Sequence, residues 1–271
     1  MKKKPSFFIY MLLLWILILW SIDRYAHQHS EAIIKNHVNT IVSKVLEVHK
    51  KVRDADPRSK LKFDQYYKEN AWKNSESFSG DGSTVDVNKI RVQFLSTFMR
   101  THNVRNMYDI PCGDANWQYT IEAVQAGDVE YYGSDVSEVA LSMAKGKNKR
   151  RKHMHFLPSI NLIEQIPYVK DPDNSLFLLK EVLQHVPLDD GTKMIENIKA
   201  SGVRYLAVTN HDKILFHVHE NKNVDFGEFY PNNMFLSPFS FNEPVRDVND
   251  LLRTRAEKKK FGNLLIFDLK L

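Results

Sequence analysis

The sequence predicts an α/β fold: a mostly parallel sheet with helices on both faces. Three observations carry this. From residue 106 to residue 209, short apolar runs alternate with helical patterns, the order that lays crossover helices on a parallel sheet. One apolar run ends in an acid and a single-glycine turn, Met107-Tyr-Asp-Ile-Pro-Cys-Gly-Asp-Ala-Asn-Trp117. A second, Tyr131-Tyr-Gly-Ser-Asp-Val-Ser137, ends in Asp135, 22 residues past Gly113. In open α/β sheets, ligands bind outside the carboxyl ends of the strands, and a carboxylate about 20 residues past the turn holds ribose hydroxyls.

Taken in order, the chain of 271 residues begins with Met1-Lys-Lys-Lys-Pro5 and an uncharged run, Ser6 to Ile22. About 17–25 apolar residues span a bilayer, so residues 6–22 are expected to form an uncleaved transmembrane anchor. A signal peptide is the rival, but no small-residue cleavage site follows. The three lysines place the N-terminus in the cytosol and the body lumenal or extracellular, as in a type II protein. The lack of any N-x-[ST] sequon leans against a glycosylated lumenal body. Apolar residues at Ile34, Val38, Ile41, Val45, Val48 and Val52 then step by four and three, a helical seam that either docks on the domain or pairs two copies as a homodimer. The expected divisions are 1–26 for tail and anchor, 27–60 for a helical stem, and 61–271 for the α/β domain.

Asp54-Ala-Asp-Pro-Arg58 breaks the stem helix. An aromatic-rich helix is expected from Phe63 to Asn74, a Ser/Gly loop to Thr84, and a helix capped at residues 84–86 running to about His102. Strands are expected at 106–111, 130–135, 155–157, 175–179, 203–209 and 263–269. Helices are expected at 117–125, 138–145 and 190–200, the last capped by Asp189 or Asp190. Arg246–Lys260 reads as mainly helical.

Composition narrows the chemistry. A hydrophobic fraction of 43% supports a full core, and one cysteine excludes an internal disulfide or a Cys-based zinc site. The basic run Lys145–His155 suits a solvated loop better than nucleic acid, having no interleaved aromatics. His217-Val-His219 lacks a matching acid for a metal. The turn lacks G-x-G-x-x-G, and Asp109 and Asp114 would repel a pyrophosphate. They suit a cationic, phosphate-free nucleoside, of which S-adenosylmethionine (SAM) is one.

From about Tyr67 to the C-terminus, the chain resembles a class I, Rossmann-like, SAM-dependent methyltransferase. Asp109-Ile-Pro-Cys-Gly-Asp-Ala-Asn-Trp117 resembles the first motif of a branch reading D-[IL]-P-C-G-D-x-x-W. Gly133-Ser-Asp-Val136 resembles the ribose motif, and Leu179-Lys-Glu-Val-Leu-Gln-His-Val-Pro187 the motif after the fourth strand. Trp72 and Ser77-Phe-Ser-Gly-Asp-Gly-Ser83 resemble a segment that covers the cofactor; Phe226–Pro231 and Pro238–Phe241 also fit the branch. The resemblance implies a seven-stranded, mostly parallel sheet, SAM as cofactor, and methyl transfer to an O or N nucleophile of a small molecule or protein.

The site residues follow residue by residue. Asp109 and Asp114 interact with the ammonium end of SAM, directly or through water (or Asp109 only caps local amides), Cys112 and Gly113 form the close turn, and Asn116 and Trp117 stand where the turn becomes a helix. Asp135 holds the ribose (or only caps the next helix), with Val136 on the adenine. Ser159 and Ile160 lie after the third strand, where the acid common in the family is missing. Lys180 and Glu181 replace an Arg-Asp pair, keeping charge but losing the planar fork. Trp72, Ser79 and Gly82 belong to the cover. Glu181 and His185 are expected at the transfer edge, His185 as a general base or as a turn residue before Pro187. The aromatic segment 211–244 is expected to cover the acceptor pocket. An inactive binding protein of the same fold, or a basic-patch binder, remains an open alternative.

Overall fold

The computed structural model describes residues 57–247 and 262–271. The apolar run 6–22 and the seam 34–52 lie outside the described residues. Among those described, no helix is long and apolar enough to cross a membrane.

The chain enters through helix α1 (Arg58–Glu69), which starts earlier than expected because Pro57 sits at its N-cap, where a fixed φ and a missing N–H cost little. It also stops earlier than Asn74, since Asn70 turns left-handed at φ 47°. Helix α2 (Val85–Thr101) follows a 3-10 turn at Asp81–Ser83. It buries Val92, Leu95, Phe98 and Met99, one face of a 3.6-residue period.

The rest alternates: β1 (Asn106–Asp109), α3 (Glu122–Gln125), β2 (Glu130–Gly133), α4 (Glu138–Asn148), β3 (Met154–Phe156), β4 (Ser175–Leu179), α5 (Leu188–Ala200), β5 (Tyr205–Asn210), α6 (Lys213–Phe216), β6 (Arg246–Asp247) and β7 (Asn263–Asp268). The sheet order is β3-β2-β1-β4-β5-β7-β6. The pairs from β3 through β5 are parallel, and β7 runs antiparallel to β5 and β6. The sheet is thus seven-stranded and mostly parallel. β4 shows how it is sandwiched: Leu176 and Leu178 join the core on one face with α2, while Phe177 and Leu179 join the other with α5. Alternate strand residues point to opposite faces, and both are covered.

Three expectations are corrected. The helix expected over 117–125 is a 3-10 turn at Gln118–Thr120 and a four-residue helix, because Ile121 is extended between them and fully buried. Asp189 and Asp190 do not cap α5; they lie inside its first turn, where the helix dipole favours acids, after Pro187 at the N-cap. Arg246–Asp247 is not helical but pairs with Ile266 and Leu265 as β6; residues 248–261 lie outside the described residues.

Candidate functional site

The strand order reverses between β1 and β4, and crossover loops leave in opposite directions there, opening a crevice at the carboxyl ends. A cavity of about 430 Å³ occupies it. Its walls come from the loops after β1, β2 and β4, from α1 and the segment following it, and from the segment after β5.

Two carboxylates stand at the strand ends. Asp109 closes β1 at 2% exposure. Gln118 Nε2 donates to its Oδ2 at 2.7 Å and Tyr131 OH at 2.8 Å. Burial nonetheless outweighs both donors and nearby Lys180, pushing the Asp109 pKa up to about 7. Asp135 accepts the Gly113 N–H at 2.9 Å and the Ser137 N–H at 2.8 Å. Burial raises it to about 6. It does not cap α4: Ser137 Oγ does, accepting from Ala140 N at 3.2 Å. Neither carboxylate forms an ion pair among the described residues; Lys180, on the same cavity, acts on Asp109 only through charge.

The segment after α1 forms a strap over the glycine turn. Asp114 is its anchor and does not line the cavity. Ser77 Oγ (2.8 Å), Ser79 Oγ (2.9 Å), the Phe78 N–H (2.9 Å) and Lys147 Nζ (2.7 Å) all donate to its fully buried carboxylate. Asn116 is also turned away: it donates to Glu76 Oε1 at 2.8 Å and Ser83 O at 3.1 Å. Ser159 stands behind the wall, donating to Val136 O at 3.2 Å. These three expected ligands hold protein segments together instead. Gly113 is needed for the same reason: φ is +59°, and a Cβ would come within 2.2 Å of Ser79 Oγ and 2.9 Å of Tyr67 OH.

The other expected residues do reach the cavity: Trp72, Ser79, Gly82, Asp109, Cys112, Gly113, Trp117, Asp135, Val136, Ile160, Lys180, Glu181 and His185. Cys112 is buried, which raises its thiol pKa well above the usual range. Trp117 is both core and wall. Lys180 donates to Gly82 O at 2.9 Å, tying the strap to β4, and lies 5.6 Å from the Trp117 ring centre. Burial lowers its pKa to about 8.

At the far end, the 3-10 turn Leu183–His185 is stitched to the loop 227–230. The Gly227 N–H donates to His185 O at 2.8 Å, and the Tyr230 N–H to Gln184 O at 3.0 Å. His185 Nδ1 donates to Glu228 O at 2.8 Å. A carbonyl only accepts, so this bond fixes the tautomer and leaves the lone pair on Nε2. Burial lowers the His185 pKa.

Sequence reasoning missed Tyr67 and Gln118 on the cavity wall, and named His211 only as the start of the segment expected to cover the acceptor pocket. None carries a local signal; each is brought in by contacts distant in sequence. Of the aromatic segment, Phe216, Phe226 and Phe229 line the cavity, whereas Phe235 and Phe241 pack on Phe267. Phe239 is core. Among the described residues, no three His, Cys, Asp or Glu side chains gather as a metal site. Much of the basic run is engaged internally: Lys147 on Asp114, Arg151 over Tyr119, and His153 and His155 on Glu130.

No protein-family model matches the chain, and no curated protein matches it by sequence. Solved structures do. The magnesium protoporphyrin IX methyltransferase ChlM from Synechocystis PCC 6803, with bound SAM, is 18% identical with a TM-score of 0.52, covering 79% of this chain and 98% of its own. The N-methyltransferase NodS from Bradyrhizobium japonicum WM9, in complex with S-adenosyl-L-homocysteine, is 14% identical with a TM-score of 0.49, covering 74% and 95%. The first likeness establishes the fold, that of the Rossmann-like methyltransferases.

Proposed function

We propose that the chain is a SAM-dependent methyltransferase acting on an O or N nucleophile. The observation that carries this is the pair of buried carboxylates, Asp109 and Asp135, flanking the glycine turn on one cavity with no ion-pair partner among the described residues. Such a site repels phosphate and suits a cationic nucleoside. Asp135 keeps lone pairs for two ribose hydroxyls after accepting its two backbone N–H groups. Asp109 would hold the ammonium, and Val136 and Ile160 the adenine. SAM, when bound, supplies an electrophilic methyl group. His185 Nε2 would then take the acceptor's proton, and the cavity walls align the acceptor and exclude water.

Calorimetric titration of the full chain with SAM tests this. Binding is expected, weakened at least tenfold in Asp135→Ala. No heat with the unsubstituted protein overturns the reading.

The sequence further supports an anchor at residues 6–22, with the N-terminus cytosolic and the domain across the membrane. Protease digestion of sealed vesicles checks it: the domain should survive until detergent is added, and its digestion without detergent reverses the orientation.

A further inference from the structure

Glu181 has a role in the cavity that cofactor binding does not explain. Its backbone sits at φ +54°, a left-handed conformation that a residue with a Cβ rarely adopts. Strain of this kind persists where the surroundings enforce it. Here the Glu181 N–H donates to Thr209 Oγ1 at 2.8 Å, and Gln184 Nε2 donates to Oε2 at 2.6 Å. Gln184 is itself buried at 2% exposure. The carboxylate lines the cavity yet has no cation within ion-pair distance among the described residues. Lys180 and Arg91 act on it only through charge at longer range, while Lys180 donates to Gly82 O and Arg91 to Val87 O and Gly262 O.

Around it stands a run of rings on the same wall. Trp72 meets His185 at 6.2 Å between centres, His185 meets Phe229 at 5.6 Å, Phe229 meets His211 at 6.1 Å, and His211 meets Phe216 at 4.8 Å. Burial lowers both histidines, so the imidazoles stay neutral near pH 7. Aromatic faces with one carboxylate form a receptor for an ammonium group.

We infer that Glu181 anchors the protonated amine of a small aromatic or apolar acceptor within this ring wall, so that the methyl group goes to nitrogen. This rests on the methyltransferase reading above. The ammonium proton passes to His185 Nε2. The nitrogen's freed pair forms the N–C bond while the S–C bond breaks, its electron pair remaining on sulfur. An acidic acceptor would meet Glu181 as a like charge.

The test uses the full chain saturated with S-adenosylhomocysteine and three probes: 2-phenylethylamine, 2-phenylethanol and phenylacetate. Titration calorimetry reads each affinity. The amine is expected to bind at least tenfold tighter than the alcohol, with phenylacetate weakest. Glu181→Gln, which keeps an acceptor for Gln184, should erase the amine's advantage and leave S-adenosylhomocysteine affinity within about twofold. Phe229→Leu, at an exposed ring, should weaken the amine several-fold in an otherwise intact site. Equal binding of the three probes, or none at millimolar concentration, overturns the inference. So does an equal loss of S-adenosylhomocysteine affinity in Glu181→Gln, which would make Glu181 a cofactor anchor. Failure of the unsubstituted protein to bind S-adenosylhomocysteine overturns instead the reading beneath it.

Discussion

Replacing Asp109 by Asn should stabilise the empty protein while abolishing SAM binding. The carboxyl is 2% exposed, and its pKa rises from 3.8 to about 7 on folding. A carboxylate raised in the folded state binds more protons there than in the unfolded chain, so stability falls as pH climbs from about 4 to 7. Roughly three pKa units at 1.36 kcal/mol each make a penalty of about 4 kcal/mol at neutral pH. Asn carries no charge and loses this penalty. Asn keeps both donors, Gln118 Nε2 and Tyr131 OH, on the oxygen that replaces Oδ2, but it adds a buried N–H₂ donor where Oδ1 stood, costing about 1 kcal/mol. The balance is a gain of about 3 kcal/mol, or roughly 6–12 °C in Tm for a domain of this size. Thermal and urea unfolding at pH 5.5 and 7.5 would read it, with the gain larger at pH 7.5. An Asp109→Asn variant that is less stable than the parent at pH 7.5, or that binds SAM undiminished, refutes the reasoning.

Further outcomes follow from the same geometry. SAM affinity should rise with pH from 6 to 8, because a cation beside Asp109 favours its ionised form; calorimetry in buffers of differing ionisation enthalpy should show proton release on binding. Asp114→Ala removes the acceptor of four donors, of which Lys147 keeps Glu76 O and Asn116 Oδ1 while the Ser77, Phe78 and Ser79 donors lose theirs, at a cost of about 3 kcal/mol. Limited proteolysis should cut first within residues 74–84, and undisturbed resistance there would discount the strap. Gly113→Ala should act alike, since its Cβ lands on Ser79; a variant with an unshifted Tm and unchanged cofactor affinity would contradict the packing. In His185→Gln, methyl transfer should fall at least 100-fold with SAM affinity intact, and lose the acidic limb of its pH profile.

What the sequence disclosed was whatever repeats locally. The β4 run Ser175–Leu179 was readable to the residue, since a strand buried on both faces is apolar throughout. The spacing of Asp109 and Asp135 was readable because crossover length fixes it. Asp114 was misread as a ligand, since its partners lie 33 to 37 residues away and its type does not reveal which way it points. The helix over 117–125 failed because Ile121 is drawn into the core between α2 and the sheet, and packing overrode pattern. β6, two residues long, is too short to carry a period. The wall residue His211 is placed by β5 and Asn232, contacts no linear window contains.

The strap also moves the border of the functional unit. A fragment cut to begin at β1 would retain every strand and both strand-end carboxylates, Asp109 and Asp135, and would look complete in a topology diagram. It would lack Trp72, Tyr67 and Ser79, and would leave Asp114 with Lys147 alone of its four donors. The sheet is therefore the floor of a room whose ceiling is built from chain that precedes it.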